Sequence, residues 1–446
     1  MSKLKFLRDG WLESDIGDAD ERETFTRLKI TAGNAIVTRA FSKRGGGETE
    51  ALNVPLFPLA DFIAKQWWPL LYEPVRTQPQ KAFAARHRLD LPMHGYAFPA
   101  LGLCSSGDDT VMVDWAVIDN DHSPLKFLTN PFKEPLQISR DDIEPELMDL
   151  VESALARLQA GSRAHAALAD NWARVRETLE SPDQLNYCVA AGRLGIDPYD
   201  PNGVDVSQFV GNLPEDLFND ISEASDLSGI AETAKWADEA RKTLDGCPTI
   251  NVEDFGSPPR DDLDCSPGEL GFLAARMLRR RLGLPDNDPK RATAAILGEA
   301  DSSSGVLTRT GPHQMMGLTH RTNGIAHIGT IAASARQRHF RACSATYIAW
   351  CSDPGDLRAG TVAQTRRQQA SRAFAAELVA PITYLFERGG RSGFTEEDIE
   401  QEAGKLIAPH DTVMWQAWRA GVPLLDVEPR APRRNSFFDA VSTDVG

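Results

Sequence analysis

Between Pro248 and Pro267 the chain concentrates Pro, Gly and Asp around Pro258-Pro259, in a stretch unsuited to a helix or sheet interior. Pro lacks the amide donor, and Gly and Asp favour turns. With 446 residues the chain also exceeds the reach of a single hydrophobic core. The stretch therefore reads as a linker, and the expectation is an α+β multidomain protein. A strand-rich α+β domain is expected over 1–140, a helical domain and linker over 141–260, and a third domain over 261–446.

The local patterns supply that division. Leu28 to Thr31, Ala35 to Phe41 and Val111 to Val117 carry β-branched and aromatic residues between Gly and Asp punctuation. One helix is predicted among them, from Pro58 to Tyr72, with Leu59, Phe62, Ile63, Gln66 and Trp67 on one face and Trp67-Trp68 as core. Helical spacing then dominates over Glu144 to Ala160, Ala164 to Leu179, Gln184 to Leu194 and Ile230 to Leu244, with Gly195 and the prolines after it ending the third. Beyond the linker come an amphipathic helix from Pro267 to Leu284 and a strand-like zone from Ala294 to Ile331. Helices are predicted over Arg336 to Trp350, Gln364 to Glu387, Thr395 to Ile407 and Thr412 to Ala420. Thr395-Glu-Glu-Asp398 caps its helix without needing a functional role.

Composition excludes several classes. At 41% hydrophobic and 25% charged residues the chain is neither disordered nor fibrous. Its formal charge of −16 disfavours wholesale electrostatic binding of nucleic acid. The basic runs Arg279 to Arg281, Arg336 to Arg341 and Arg430 to Arg434 read as solvated faces or tails. No apolar leader opens the sequence and no apolar run reaches membrane-spanning length, so a cytoplasmic protein without membrane contact is expected. Six cysteines, none in a CxxC pair, suggest reduced thiols.

The pattern richest in information lies near the C-terminus. Phe374-Ala375-Ala376-Glu377-Leu378-Val379-Ala380-Pro381, preceded by Arg336-Gln337-Arg338-His339-Phe340-Arg341-Ala342, resembles the ImmA/IrrE family of bacterial zinc metallopeptidase-like proteins over residues 265–425. The resemblance implies a zincin-like domain in which the residues after Ala342 would be His-Glu-x-x-His, two zinc ligands and a proton-accepting Glu on one helix. Here Cys343, Ser344 and Tyr347 stand at those positions. The family's further acidic ligand, six residues before the Phe, is replaced by Gln368. Ser344 lacks a carboxylate, and an uncharged amide binds zinc weakly. The resemblance therefore extends to the scaffold but not to the chemistry: no catalytic residue and no cofactor are expected.

Other constellations are weaker. His339 and Cys343, one helical turn apart, are the alternative zinc ligands, and would make the protein an active metal-dependent peptidase. A cysteine nucleophile with its base one turn away is poorly arranged for attack. His313, His320 and His327 recur every seven residues and match no ligand pattern. Met315-Met316 and the segment from Ile325 to Ile331 read as core or edge strand. Ser302 to Gly305 lacks the Lys-Ser/Thr of a phosphate loop, and Asp114, Asp119 and Asp121 near His122 read as solvated turn carboxylates.

The expected function is that of a catalytically inactive, metallopeptidase-like regulatory or sensing protein that binds a protein or peptide partner. Arg336, Arg338 and His339 are candidate contacts. The resemblance implies a setting of phage or mobile-element regulation. A nucleic-acid-binding regulator acting through Arg279 to Arg281 and Arg336 to Arg341 is the remaining alternative; the oligomeric state is left open.

Overall fold

The computed structural model describes residues 3–43, 45–76, 81–116, 123–128, 131–132, 134–211, 213–261, 263–298 and 305–427. The fold mixes helices with several small sheets. Among the described residues no helix is long and apolar enough to cross a membrane. Internal contacts divide the chain after Val206 into two compact units.

The first unit opens with β1 (Leu4–Trp11), α1 (Ala19–Glu23), β2 (Phe25–Ala32), β3 (Ala35–Ile36), β4 (Ala40–Ser42), β5 (Glu48–Thr49) and β6 (Leu52–Pro55). It continues through α2 (Phe57–Tyr72), α3 (Lys81–His87), β7 (Ala100–Ser105), β8 (Thr110–Ala116), β9 (Leu125–Phe127) and β10 (Leu136–Ser139). Three long helices close it: α4 (Arg140–Arg157), α5 (Arg163–Leu179) and α6 (Pro182–Arg193). Three small sheets form, β1-β2-β3 with β6 on β2, β5-β4-β9 and β10-β8-β7. In the first, Leu4 and Phe6 lie opposite Ala32 and Ile30. The period-2 alternation thus puts these four side chains on the face that enters the core. Trp67 of α2 and Trp172 of α5 meet edge to face at 5.2 Å, and both Trp67 and Trp68 are buried, in line with their reading as core. Pro69 lies inside α2 and Gln66 leaves the helical region three residues earlier, as expected where a proline removes a ladder hydrogen bond.

The three-way partition expected from the sequence differs from this division. Ile143, Leu147 and Val151 of α4 and Leu168 and Val175 of α5 share one core with Leu28, Ile30 and Ile63. Up to Arg193 the helical stretch therefore covers the first sheets, whereas the predicted helix from Ile230 falls in the second unit. The Ala35 to Phe41 strand is also two short strands, β3 and β4, with a turn between them.

The second unit contains α7 (Ser207–Val210), α8 (Glu215–Ala224), α9 (Ile230–Arg241), β11 (Thr249–Asn251), α10 (Pro267–Arg281), α11 (Pro289–Leu297), β12 (Val306–Thr308), β13 (Met315–Thr322) and β14 (Ile325–Ile331). After these come α12 (Ala335–Cys351), β15 (Leu357–Thr361), α13 (Arg366–Val379), α14 (Ile382–Gly389), α15 (Glu396–Leu406) and α16 (His410–Arg419). Its sheet runs β11-β14-β13-β15, with β12 also on β14. Helices α10, α12 and α13 pack through Leu270, Ala274, Leu278, Tyr347, Trp350, Ala370 and Phe374. A Cβ on Gly271 would lie 2.2 Å from the Ala370 carbonyl oxygen, so only glycine permits the approach of α10 to α13.

Three sequence expectations change here. The stretch from Pro248 to Pro267 is integral to the unit: Thr249–Asn251 pairs with β14, Phe255 is buried, and Gly256 accepts a hydrogen bond from Trp350 Nε1 at 2.7 Å. The strand-like zone begins with a helix, α11, because Asp288 caps it by accepting from Arg291 N and Pro289 takes the first turn, where no amide is needed. The single helix over 364–387 is two, since Pro381 cannot continue α13 and Ala380 has left the helical region (φ −136°, ψ 72°). Arg430 to Arg434, Ser302 to Ser304, Asp119, Asp121 and His122 lie outside the described residues.

Candidate functional site

The four positions singled out by the resemblance converge on the seam between α12 and α13, beneath β15. Ser334 caps α12 by accepting from Gln337 N, which sets the helix phase and turns Cys343, Ser344 and Tyr347 inward. Cys343, Ser344, Tyr347 and Gln368 are all buried. Ser344 Oγ donates to Ser371 Oγ at 2.9 Å, and Ser371 Oγ donates to the Gln368 carbonyl at 2.9 Å. This relay of neutral groups ends on backbone and leaves no proton acceptor of carboxylate strength.

Gln368 turns away from the two serines toward the sheet. Its Oε1 accepts from Thr361 N at 2.9 Å, and its Nε2 donates to the Ala359 carbonyl at 2.8 Å. Both ends of the amide are thus engaged by β15. Burial, reinforced by the neighbouring Cys351, pushes the Tyr347 hydroxyl far above its ordinary range, so it stays a neutral phenol against the Phe374 ring at 5.4 Å. Burial also raises the Cys351 thiol to about 12, so it stays a neutral thiol near neutral pH.

His339 and Cys343 share a buried helix face, as their spacing predicts. Among the described residues no group of three or more His, Cys, Asp or Glu side chains is placed to hold a metal ion. None of the six cysteines is in a disulfide. His320 and His327 are direct cross-strand partners on β13 and β14, whereas His313 precedes the strand.

The candidate partner contacts separate. Arg336 pairs with Glu400 at 2.8 Å and keeps a third of its side chain exposed. Arg338 donates to the Ala333 carbonyl and Arg341 to the Ile331 carbonyl, so part of this basic run is directed at its own backbone. His339 is buried, and direct contact with a partner would require it to be uncovered. The run Arg279 to Arg281 is a solvated face only at Arg280 and Arg281, which are exposed. Arg279 is buried against Glu377 and Asp286, and Arg281 donates to the Phe255 carbonyl at 2.8 Å.

Within the Phe374 to Pro381 stretch, Glu377 has a structural role. This fully buried carboxylate accepts from Arg276 Nε at 2.9 Å, Arg279 Nη2 at 3.3 Å, Gln416 Nε2 at 3.1 Å and Ile382 N at 3.3 Å. It thereby ties α10, α14 and α16 to α13. Two residues not singled out above, Asp220 and Arg372, meet β15 and the chain just after it. Asp220 of α8 accepts from Ala359 N at 2.7 Å and from Arg358 Nη2 at 2.7 Å. Arg372 donates to the Thr361 and Ala363 carbonyls at 3.0 and 2.9 Å, with burial lowering its guanidinium to about 10.

A second buried polar cluster, in the first unit, has no counterpart in the sequence reading. Glu73 accepts from Arg86 Nε at 2.8 Å and Nη2 at 2.6 Å, and faces His87 Nε2 at 3.0 Å. The other ring nitrogen of His87 meets the Leu103 carbonyl at 2.6 Å. Both His87 partners are acceptors, so the ring is bridged between a carboxylate and a backbone carbonyl. Burial pushes the Glu73 carboxyl up, but the hydrogen bonds and charges of His87 and Arg86 outweigh it and hold the group at about 2. Gly195, with φ +71°, lies over this cluster, where a Cβ would come within 2.5 Å of Glu73 Oε1.

No family model matches this chain, and neither a curated protein nor a solved structure matches it.

Proposed function

We propose that the chain is a non-catalytic regulatory protein whose residues 261–446 form a zincin-like domain related to the ImmA/IrrE proteins, and that it binds a protein or peptide partner in phage or mobile-element regulation. The carrying observation is the α12–α13 seam. Where metal-dependent hydrolysis requires ligands around an open coordination position and a carboxylate base, Ser344, Ser371 and Gln368 instead bond to one another and to backbone. A buried, satisfied and neutral seam supports a scaffold role. Partner contact then falls to the rim, where Arg336 retains exposed side chain, and away from Ser344, Tyr347 and Gln368 themselves.

Two measurements test this reading. Elemental mass spectrometry of the tag-free protein is expected to find far less than one zinc per chain, with no change in Cys343→Ala. Stoichiometric zinc lost in that variant would revive the peptidase that uses His339 and Cys343. Affinity capture with the full chain is expected to retain a protein partner that Arg336→Glu/Arg338→Glu releases. Identical capture by both forms sinks the assignment of the partner surface. Retention of nucleic acid with steep salt dependence would favour the third reading.

A further inference from the structure

The hairpin that joins β13 to β14 gives the step from His320 to His327 a geometric meaning. Thr322 pairs with Ile325 across the turn Asn323-Gly324, where Asn323 adopts φ +53°, a left-handed conformation that asparagine tolerates. The turn fixes the register, and two residues further along each strand His320 stands directly opposite His327. Residues paired in this way point to one face of the sheet with Cβ atoms about 4.5–5.5 Å apart, a separation that two imidazoles can close around one ion. On the same face Leu244 and Leu307 lie over Gly329, two residues beyond His327, whereas Ile325 at the hairpin tip is exposed. The histidine pair therefore sits at the rim of the covered part of the sheet, and both rings are partly exposed.

Both rings are aimed through Nδ1. His327 Nδ1 lies 3.4 Å from the Cys247 carbonyl, and His320 Nδ1 faces Asp245 Oδ1 at 3.9 Å. A carbonyl only accepts, so the first contact is a hydrogen bond in the tautomer that carries its proton on Nδ1, and Nε2 then holds the lone pair. The Asp245 carboxylate favours the same tautomer in His320. Among the described residues no hydrogen bond engages either Nε2. One ring nitrogen turned to a carbonyl or carboxylate and the other left open is the arrangement that metal-ligating histidines use.

We propose that His320 and His327 form a two-histidine site for a divalent transition-metal ion, ligating it through Nε2 while Asp245 and the Cys247 carbonyl orient the rings. Among the described residues no third His, Cys, Asp or Glu is placed to join them, so the remaining coordination positions go to water. Neutral imidazole nitrogens with open positions suit Cu(II) best, and Ni(II) and Zn(II) less well, in the usual order of divalent affinities. With two protein ligands the ion is held reversibly, loaded by added metal and removed by a chelator. The site uses none of the α12–α13 seam residues and does not depend on the regulatory reading.

The test is a Cu(II) titration of the chelator-stripped, tag-free full chain, followed by electron paramagnetic resonance. The first equivalent is expected to show the hyperfine pattern of two imidazole nitrogens. His320→Asn and His327→Asn should each weaken that equivalent about a hundredfold, and Asp245→Asn about tenfold, while His339→Ala/Cys343→Ala leaves it unchanged. An affinity unchanged in either histidine variant overturns the site, as does copper held equally by the His320→Asn/His327→Asn double variant.

A second measurement does not rest on the variants folding. In wild-type protein with labelled histidines, substoichiometric Cu(II) is expected to broaden two of the nine histidine ring signals before the others. Broadening of one ring alone, or of none, overturns the proposal. Zinc that stayed in the His320→Asn/His327→Asn variant but left with Cys343→Ala would belong to the seam, so failure here and failure of the non-catalytic reading are distinguishable.

Discussion

Two of the buried polar clusters of this protein are built on opposite electrostatic principles. In the first unit Glu73 is ionised and surrounded by Arg76, Arg86 and His87. In the second, Ser344, Ser371 and Gln368 are neutral and reach closure by bonding to each other and to β15. The strongly lowered carboxylate lies in the first, whereas the positions singled out in the sequence lie in the second. A perturbed carboxylate thus marks an ion-pair network inside a sealed core as readily as it marks a reaction site, and geometry decides between the two.

The largest expected effect breaks the charged cluster. Glu73→Gln leaves His87 and Arg86 without their buried carboxylate, and should destabilise the first unit by about 3–5 kcal/mol in urea unfolding followed within residues 4–193. Equal loss in the second unit would show that the effect is not confined to the Glu73 cluster's own core.

Acid sharpens the same contrast. The Glu73 carboxyl is lowered from 4.5 to about 2, so its contribution of about 3 kcal/mol is fully present above the ordinary glutamate range and is lost as pH falls from there through about 2. The Ser344–Ser371–Gln368 seam has no group titrating in that window. Exchange-monitored stability should therefore decline in the first unit at acidic pH before any change attributable to the seam.

Smaller effects follow for the neutral cluster. Gln368→Ala removes two hydrogen bonds to β15 and leaves Thr361 N and the Ala359 carbonyl without that partner, at a cost of about 1–3 kcal/mol in the second unit. Ser344→Ala should cost about 1 kcal/mol or less, because Ser371 still donates to the Gln368 carbonyl. If Ser344→Ala proved as damaging as Glu73→Gln, the seam would hold more than a neutral relay.

Much of the helical content was legible in sequence. The predicted helix from Pro58 to Tyr72 is α2 and that from Ala164 to Leu179 is α5, since apolar spacing of 3.6 survives wherever one face is buried. The grouping of Cys343, Ser344, Tyr347 and Gln368 was legible only through the family resemblance. The partners of Gln368 were not, because an amide six residues before Phe374 says nothing about which strand passes over it. Asp220 carried no signal at all: it lies more than a hundred residues from Arg358, and one Asp in a helix resembles any other.

Local composition misled where tertiary pairing overrode it. The proline-rich stretch after Pro248 reads as linker, yet three of its residues complete a sheet edge on β14, since a strand that short leaves almost no periodic trace. By itself the sequence determined the positions of the long helices, the break at Gly195, and the neutral character of the residues at positions 344, 347 and 368. Only the tertiary structure decided that Glu73 meets His87, that Arg279 turns inward to Glu377, and that Asp220 closes β15. Those pairings depend on which distant faces the folded chain brings together, and the energy of a buried charge or strand edge exists only once both sides are in place.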